Sequence, residues 1–209
     1  SLSRNIRTGG HFKWKYKNGE YVFNDNMSWI EREFESGFPS KSKAESYTLD
    51  NYLNHRVNDN LSLLIGLNLN FSKYSAFSIP FGETEFEQTI SDNDANFDII
   101  DPYLNAVYVS DFGLNINAGL RVNIHSEYDT ELVYNLNPSF NLDLNNDNTL
   151  KFLSTNSSAY ISPSLFQIFS PYFGNRDLEP ESNRTIEAGA EYLSASNFRI
   201  SALYFTRKS

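Results

Sequence analysis

The amino-acid sequence predicts an all-β protein, part of an antiparallel up-and-down transmembrane β-barrel with about ten strands. Apolar and polar residues alternate in segments of roughly ten residues along much of the 209-residue chain, as expected for strands with two different faces. Short polar turns and generally longer loops connect these segments in alternation. Up-and-down barrels of the outer membrane have this arrangement, with short periplasmic turns and long extracellular loops.

The composition excludes several classes of function. The chain contains no cysteine, so it has no disulfide framework, zinc–thiolate site or thiol nucleophile. Its net charge of -9 argues against a nucleic-acid partner, since phosphate binding needs a positive field. The mean hydropathy of -0.48 resembles that of a soluble protein, but an alternating barrel strand also averages to a hydrophilic value. No apolar run approaches the ~18 residues that a transmembrane helix requires.

The individual strands are predicted from the alternation, taken in chain order. The clearest strand follows the turn Asn58-Asp59, where Leu63, Ile65 and Leu67 share one face. The predicted strands cover residues 10–16, 21–34, 45–57, 61–72, 99–109, 114–124, 132–144, 149–162, 184–193 and 197–207. The predicted short turns cover 17–20, 58–60, 110–113, 145–148 and 194–196, and the longer loops cover 35–44, 75–96, 126–130 and 163–182.

The same alternation predicts which face of the sheet meets lipid. Leu, Ile, Phe and Tyr occupy one face, whereas Asn, Ser, Gly, Arg and His occupy the other. A wide barrel turns its apolar face to lipid and its polar face to the lumen. We therefore expect Ile116, Leu120 and Leu136 to face outward, with Asn117 and Asn137 inward. The alternative is a half-exposed sheet whose asparagine residues meet bulk solvent.

Residues 157–191 carry the most specific pattern in the chain. A strand leads to Pro163, an aromatic loop follows, and a second strand begins near Asn183. This order resembles the late barrel segment of TonB-dependent outer-membrane receptors, whose motifs are matched by Pro163-Ser164-Leu165, Gly174-Asn175, Leu178, Pro180-Glu181 and Glu187-Ala188-Gly189. The family often has Pro-Asn where this chain has Arg176-Asp177.

The resemblance implies a receptor that imports a scarce nutrient across the bacterial outer membrane, by transport and not by covalent chemistry. Siderophore-bound iron, vitamin B12, haem or a similar ligand would be the cargo, and the segment is most similar to vitamin B12 and siderophore receptors. The implied partners are the TonB complex acting through a plug domain, a small-molecule or metal-chelate ligand, and outer-membrane lipid. No signal peptide, plug or terminal aromatic strand is visible, so the chain is interpreted as an internal fragment of a larger receptor's barrel.

Three groups of residues are candidates for binding. Residues of the aromatic loop are predicted either to contact ligand or to pack the rim together: Phe166, Phe169, Tyr172, Phe173, Asn175 and Arg176. Residues predicted to face the lumen are Lys13, Lys15, Arg56, Asn117, Arg121 and Arg199. These cations could attract an anionic chelate or a plug, or neutralise Asp143, Glu187 and Glu191. Asp92, Asp94 and Asp98 lie in an oxygen-rich loop that could hold Ca²⁺, although a solvated acidic loop is the default interpretation.

The sequence predicts no enzyme. The three histidines, His11, His55 and His125, lie in different strands without metal-ligand spacing. The chain contains no GxSxG, P-loop or GxGxxG motif. The alternative function is a soluble all-β binding module, such as a carbohydrate-binding or adhesin domain. Such a module would stay monodisperse without detergent, which separates it from a membrane barrel.

Overall fold

A computed structural model describes residues 1–35, 37–145 and 147–209 of the chain, which form one antiparallel sheet of eleven strands. The strands are β1 (Leu2–Tyr16), β2 (Gly19–Phe34), β3 (Ser40–Arg56), β4 (Leu61–Ser78), β5 (Glu87–Ile90), β6 (Asn96–Val109), β7 (Leu114–His125), β8 (Glu131–Leu144), β9 (Asn148–Ile161), β10 (Glu181–Leu193) and β11 (Arg199–Lys208). One short helix, α1 (Leu165–Phe169), precedes β10. Within the described ranges, no helix is long and apolar enough to cross a membrane.

The strand order is that of an up-and-down barrel. The long strands pair in chain order, from β1 through β4, then β4 with β6, and on through β11. Strand β5 is a short addition that pairs with β4. Strands β1 and β11 form the two edges of the sheet. The predicted fold class is therefore confirmed, with a sheet that represents part of a barrel.

The registers place apolar and polar residues on opposite faces of the sheet. One row across five strands consists of Leu53, Ile65, Leu104, Leu120 and Tyr134. The neighbouring row, on the other face, consists of Tyr52, Gly66, Tyr103, Arg121 and Val133. Leu120 and Leu136 are 51% and 45% exposed, as the lipid-facing prediction requires. The polar, second face is called the inner face below.

Several predicted boundaries were wrong, mostly because strands continue beyond the band of residues in which apolar and polar side chains alternate. Strand β1 begins at Leu2 and not at residue 10, and β3 begins at Ser40 inside the predicted loop 35–44. The predicted loop 75–96 contains the end of β4 and all of β5. Above the band these strands carry mixed polar residues, so alternation no longer marks them. Ser36 and Asn146, within a predicted loop and a predicted turn, lie outside the described residues.

The two rims of the sheet differ less than the sequence predicts. One rim carries the connections 17–18, 57–60, 110–113, 145–147 and 194–198, and the other carries 35–39, 79–95, 126–130 and 162–180. The connections 35–39 and 126–130 are thus no longer than the longest turn, 194–198. The difference in loop length between the two rims comes from the segments 79–95 and 162–180, which fold toward each other on the inner face.

Candidate functional site

Helix α1 holds the 162–180 loop against the sheet. Ser164 caps it: Ser164 Oγ accepts a hydrogen bond from the amide of Gln167, and Gln167 Oε1 accepts one from the amide of Ser164 at 2.9 Å. This capping box satisfies amides that otherwise lack partners at the start of a helix. Leu165 and Ile168 are the buried residues of the helix. Their burial fixes the loop in place.

The helix packs on a small apolar core at the extracellular end of the sheet. This core consists of Tyr74, Ala76, Ala95, Phe97 and Leu165, with Ala44, Ile90, Ile99 and Phe169 packed around it. Strands β4 and β6 supply Tyr74 and Phe97, and the 79–95 segment supplies Ala95. The two long loops and the inner face are therefore joined through one cluster.

An aromatic cleft of about 410 Å³ opens beside this core, and we call it the rim cleft. Its lining residues are Phe34, Phe38, Ser40, Lys41, Ser42, Tyr74, Ala76, Phe77, Phe166, Ser170, Pro171, Tyr172 and Phe173. The rings of Tyr74 and Phe166 meet edge to face with their centroids 6.3 Å apart. The volume and the aromatic lining are those of a small-molecule site.

The aromatic loop residues divide between packing and exposure. Phe169 packs on the core, and the Arg176 guanidinium lies 5.0 Å from its ring centroid. Phe166 and Tyr172 are each 51% exposed and Phe173 is 82% exposed, all three within the rim cleft. The packing alternative therefore holds for Phe169, whereas Tyr172 and Phe173 present open aromatic surface, and their contact with ligand stays a prediction.

Asn175 acts on the turn and does not line the rim cleft. Its amide donates to the carbonyl of Gln167 at 2.8 Å, and its Oδ1 accepts from the amide of Asp177 at 3.0 Å. Tyr128, from the facing 126–130 loop, donates from its hydroxyl to the carbonyl of Leu178 at 3.1 Å. Burial raises the pKa of Tyr128, and the Glu127 carboxylate raises it further. The loop is thus tied down on two sides.

Below the rim, the inner face carries networks of amide side chains. Asn117 Oδ1 accepts hydrogen bonds from Asn105 Nδ2 at 2.9 Å and from Asn135 Nδ2 at 3.1 Å, which links β6, β7 and β8. Gly119 leaves room for this network, because a Cβ there would lie 2.2 Å from Asn135 Oδ1. The predicted inward position of Asn117 agrees with this geometry.

Four of the predicted inward cations pair with carboxylates in the part of the chain that the structure describes. Arg121 lies beside the buried Asp101, with Nη1 and Oδ2 3.8 Å apart. Arg199 Nε donates to Glu191 Oε2 at 2.6 Å, one of the three pairings considered from the sequence. The remaining pairs are Lys13 with Glu20, at 3.3 Å, and Arg56 with Asp59, at 2.9 Å. Lys15 lies opposite Glu20 on β2.

The three aspartates proposed to bind calcium are only partly brought together. Asp92 and Asp98 line one depression with Asn93 and Asn96, whereas Asp94 does not. Asp98 lies opposite Phe71 and therefore on the outer face. Within residues 1–35, 37–145 and 147–209, no three His, Cys, Asp or Glu side chains are grouped as metal ligands. The calcium site stays a prediction.

Sequence reasoning missed the residues that build the rim. Tyr74, Phe97, Leu165 and Ile168 were not among the candidates. The Ser-x-x-Gln spacing from Ser164 to Gln167 is a capping-box signature and could have revealed α1. Tyr74 and Phe97 come from segments whose pairing follows from the register alone, so no local signal identifies them.

The comparisons with known proteins agree with this architecture. The family model described as "TonB dependent receptor-like, beta-barrel" matches residues 1–209. The siderophore receptor PirA of Pseudomonas aeruginosa is similar in structure, with a TM-score of 0.75, 18% identity and 98% of this chain covered. The copper transporter OprC is similar with a TM-score of 0.68, 14% identity and 96% covered. The chain spans 38% of each of those two proteins.

No curated protein sequence matches the chain. The two solved structures share too little sequence to carry more than the fold, and the family match extends over the whole chain. Family and neighbours alike are receptors and transporters, not enzymes. The chain therefore belongs to the TonB-dependent receptor-like β-barrel family, whose members are outer-membrane proteins of Gram-negative bacteria.

Proposed function

We propose that this chain is part of the barrel of a receptor that imports a metal-containing small molecule, with the rim cleft as the place of first contact. Membership of the family supports import, and an outer-membrane location is incompatible with the soluble-module alternative. PirA is a siderophore receptor and OprC a copper transporter, which supports a metal-containing cargo. A plug domain and the TonB complex would complete the machinery.

The rim cleft is the observation that carries the ligand-binding part of the proposal. Tyr172 and Phe173 hold large aromatic surfaces in contact with water, although α1 is anchored directly beside them. Exposed aromatic side chains on an anchored loop bind with little loss of conformational entropy, because the backbone is already ordered. Lys41 also lines the cleft, but its ammonium pairs with Glu31 at 3.2 Å. An uncharged chelate with ring systems would suit this surface.

An uptake assay with the receptor in whole cells tests the proposal. Cells lacking the receptor are complemented with the wild type or with Phe173→Ala, and uptake of labelled ferric siderophores, haem and copper is measured. We expect one ligand to be taken up by the wild type and its half-saturating concentration to rise in the variant by about tenfold, the loss of one aromatic anchor. Lys17→Gln, in the turn at the opposite end of the sheet, is the control. Uptake of no metal-containing ligand would contradict the proposal.

A further inference from the structure

We propose that the hollow beneath α1, on the inner face of β2, β3 and β4, is a second ligand site that binds small anions with several oxygen atoms. This inference rests on the proposed function, since the hollow would receive the cargo inward of the rim cleft. The hollow measures about 290 Å³. That volume approaches the lower end of the range for small-molecule sites, about 300–1,000 Å³.

The floor of the hollow is a row of hydroxyl groups. Ser28, Ser46 and Ser72 lie directly opposite one another on β2, β3 and β4, and all three line the hollow. Ser72 Oγ donates to Asn70 Oδ1 at 2.7 Å. The hydroxyls of Ser28 and Ser46 make no hydrogen bond to another side chain in the described ranges. They are small donors that leave space above them, where a larger side chain would fill the hollow.

The walls and roof are apolar. Leu165 and Phe166 of α1 cover the hollow, and Tyr74 and Phe97 stand at its side. Apolar walls lower the local dielectric constant, which strengthens a charged hydrogen bond formed beside them. The hollow and the rim cleft share a wall formed by Ser42, Tyr74 and Phe166, which line both spaces. A ligand leaving the rim cleft would meet the serine row next.

The inward charges around the hollow are positive, although the whole chain carries a net charge of -9. Arg32 lines the hollow, and Arg7 lies directly opposite Ser28 on β1, on the same face. Glu45 and Lys73 also reach its lining, but they lie opposite each other in the row next to Ser46 and Ser72, so alternation directs both side chains to the outer face. Among the described residues, neither arginine forms an ion pair. On β1, β2, β3 and β4, the inward residues between the rim that carries α1 and the row Gly9, Asn26, Thr48 and Asn70 include no carboxylate.

The complete set of inward residues at this end of β1, β2, β3 and β4 contains only neutral and basic side chains. They include seven serine residues and two arginine residues, Arg7 and Arg32, and no aspartate or glutamate. Hydroxyls and guanidinium groups donate hydrogen bonds to anionic oxygens, and no inward carboxylate on these strands competes with the ligand. Elsewhere on the inner face, by contrast, Arg121 and Arg199 are already paired with Asp101 and Glu191.

Equilibrium binding to the purified receptor in detergent micelles tests this site without transport. Citrate and inorganic phosphate are the probes, glucose is the neutral control, and binding is followed by calorimetry at two salt concentrations. We expect citrate or phosphate to bind and glucose not to bind. The double variant Arg7→Gln with Arg32→Gln should weaken anion binding by about tenfold or more and reduce its salt dependence, because charged hydrogen bonds are lost.

Two further variants keep the test decisive. Ser46→Leu would fill the hollow without changing charge, and it should also abolish anion binding. Lys17→Gln removes an exposed cation from the 17–18 turn at the other rim and should leave binding unchanged. Absence of anion binding to the wild type, or equal weakening by Lys17→Gln, would overturn the inference, as would a carboxylate-bearing segment of polypeptide found in the hollow. Metal-ligand uptake that survives all these variants would overturn this site and leave the proposed function standing.

Discussion

The hydroxyl of Tyr103 on β6 donates a hydrogen bond to Asp50 Oδ1 on β3 at 2.8 Å. Strand β4 runs between the two residues, and Gly66 lies directly opposite Tyr103 on it. The tyrosine side chain crosses β4 only because Gly66 has no side chain, since a Cβ there would lie 2.2 Å from Tyr103 Cζ. One glycine therefore permits a contact that ties three strands together on the inner face.

Replacing Gly66 by alanine should destabilise the barrel. The new methyl would force Tyr103 off Asp50, which combines overpacking, about 1–3 kcal/mol, with loss of a hydrogen bond, about 1 kcal/mol. Urea unfolding of the receptor in detergent, followed by tryptophan fluorescence, measures the change. Gly37→Ala is the matched control, because a Cβ at Gly37 meets nothing within 4 Å. Equal stability of the two variants would show that the Tyr103 side chain can move away from Asp50 without lowering the free energy of unfolding.

Leu165→Ala should release the 162–180 loop while leaving the sheet intact. Leu165 is buried in the core that joins α1 to β4, and removing such a side chain costs about 2–5 kcal/mol. Hydrogen–deuterium exchange should rise from residue 162 to 180 and stay unchanged in β7 and β8. The control is Phe173→Ala, whose side chain is 82% exposed, so its exchange should match the wild type. Protection of the loop in Leu165→Ala would mean that the capping box alone holds it.

The ion pair of Arg199 with Glu191 should matter more than that of Arg56 with Asp59. The Glu191 side chain is only 10% exposed, whereas that of Asp59 is 95% exposed. Arg199→Gln would leave a carboxylate largely out of water without its cation, and we expect a loss of about 1–3 kcal/mol, reduced from a fully buried pair because Arg199 is solvated. Arg56→Gln should change stability by less than about 0.5 kcal/mol. Comparable losses in the two variants would refute the role of burial.

The face of each residue could be predicted from the sequence, but the partners on that face could not. Alternation placed Asn117 and Arg121 inward because the period of a strand is two. It could not show that Asn117 meets Asn105 and Asn135, since register depends on how neighbouring strands slide past one another. Where the band of apolar residues ends, as before Lys73 on β4, the signal for the strand ends too.

The rim shows the same limit for a different reason. The aromatic residues at 166, 169, 172 and 173 were recognisable as an unusual loop, and Pro163 marked where the strand ends. The cleft itself depends on Tyr74 and Phe34, which reach it from strands far away in the chain. Such contacts across the fold leave no local pattern, so the sequence predicts the loop and not the site.

Charge placed on the outer face should destabilise the inserted barrel, and charge placed on the inner face should not. Leu120 lies in the outward row between Leu104 and Tyr134 and is 51% exposed on that face, whereas Asn137 faces inward. Leu120→Arg should destabilise the inserted receptor by about 2–4 kcal/mol, the cost of arginine at the bilayer midplane. Asn137→Arg should be tolerated, because its side chain extends into a polar lumen. Reversible unfolding from lipid vesicles measures both free energies, and an equal cost for the two substitutions would remove the physical basis for placing the leucine face in lipid.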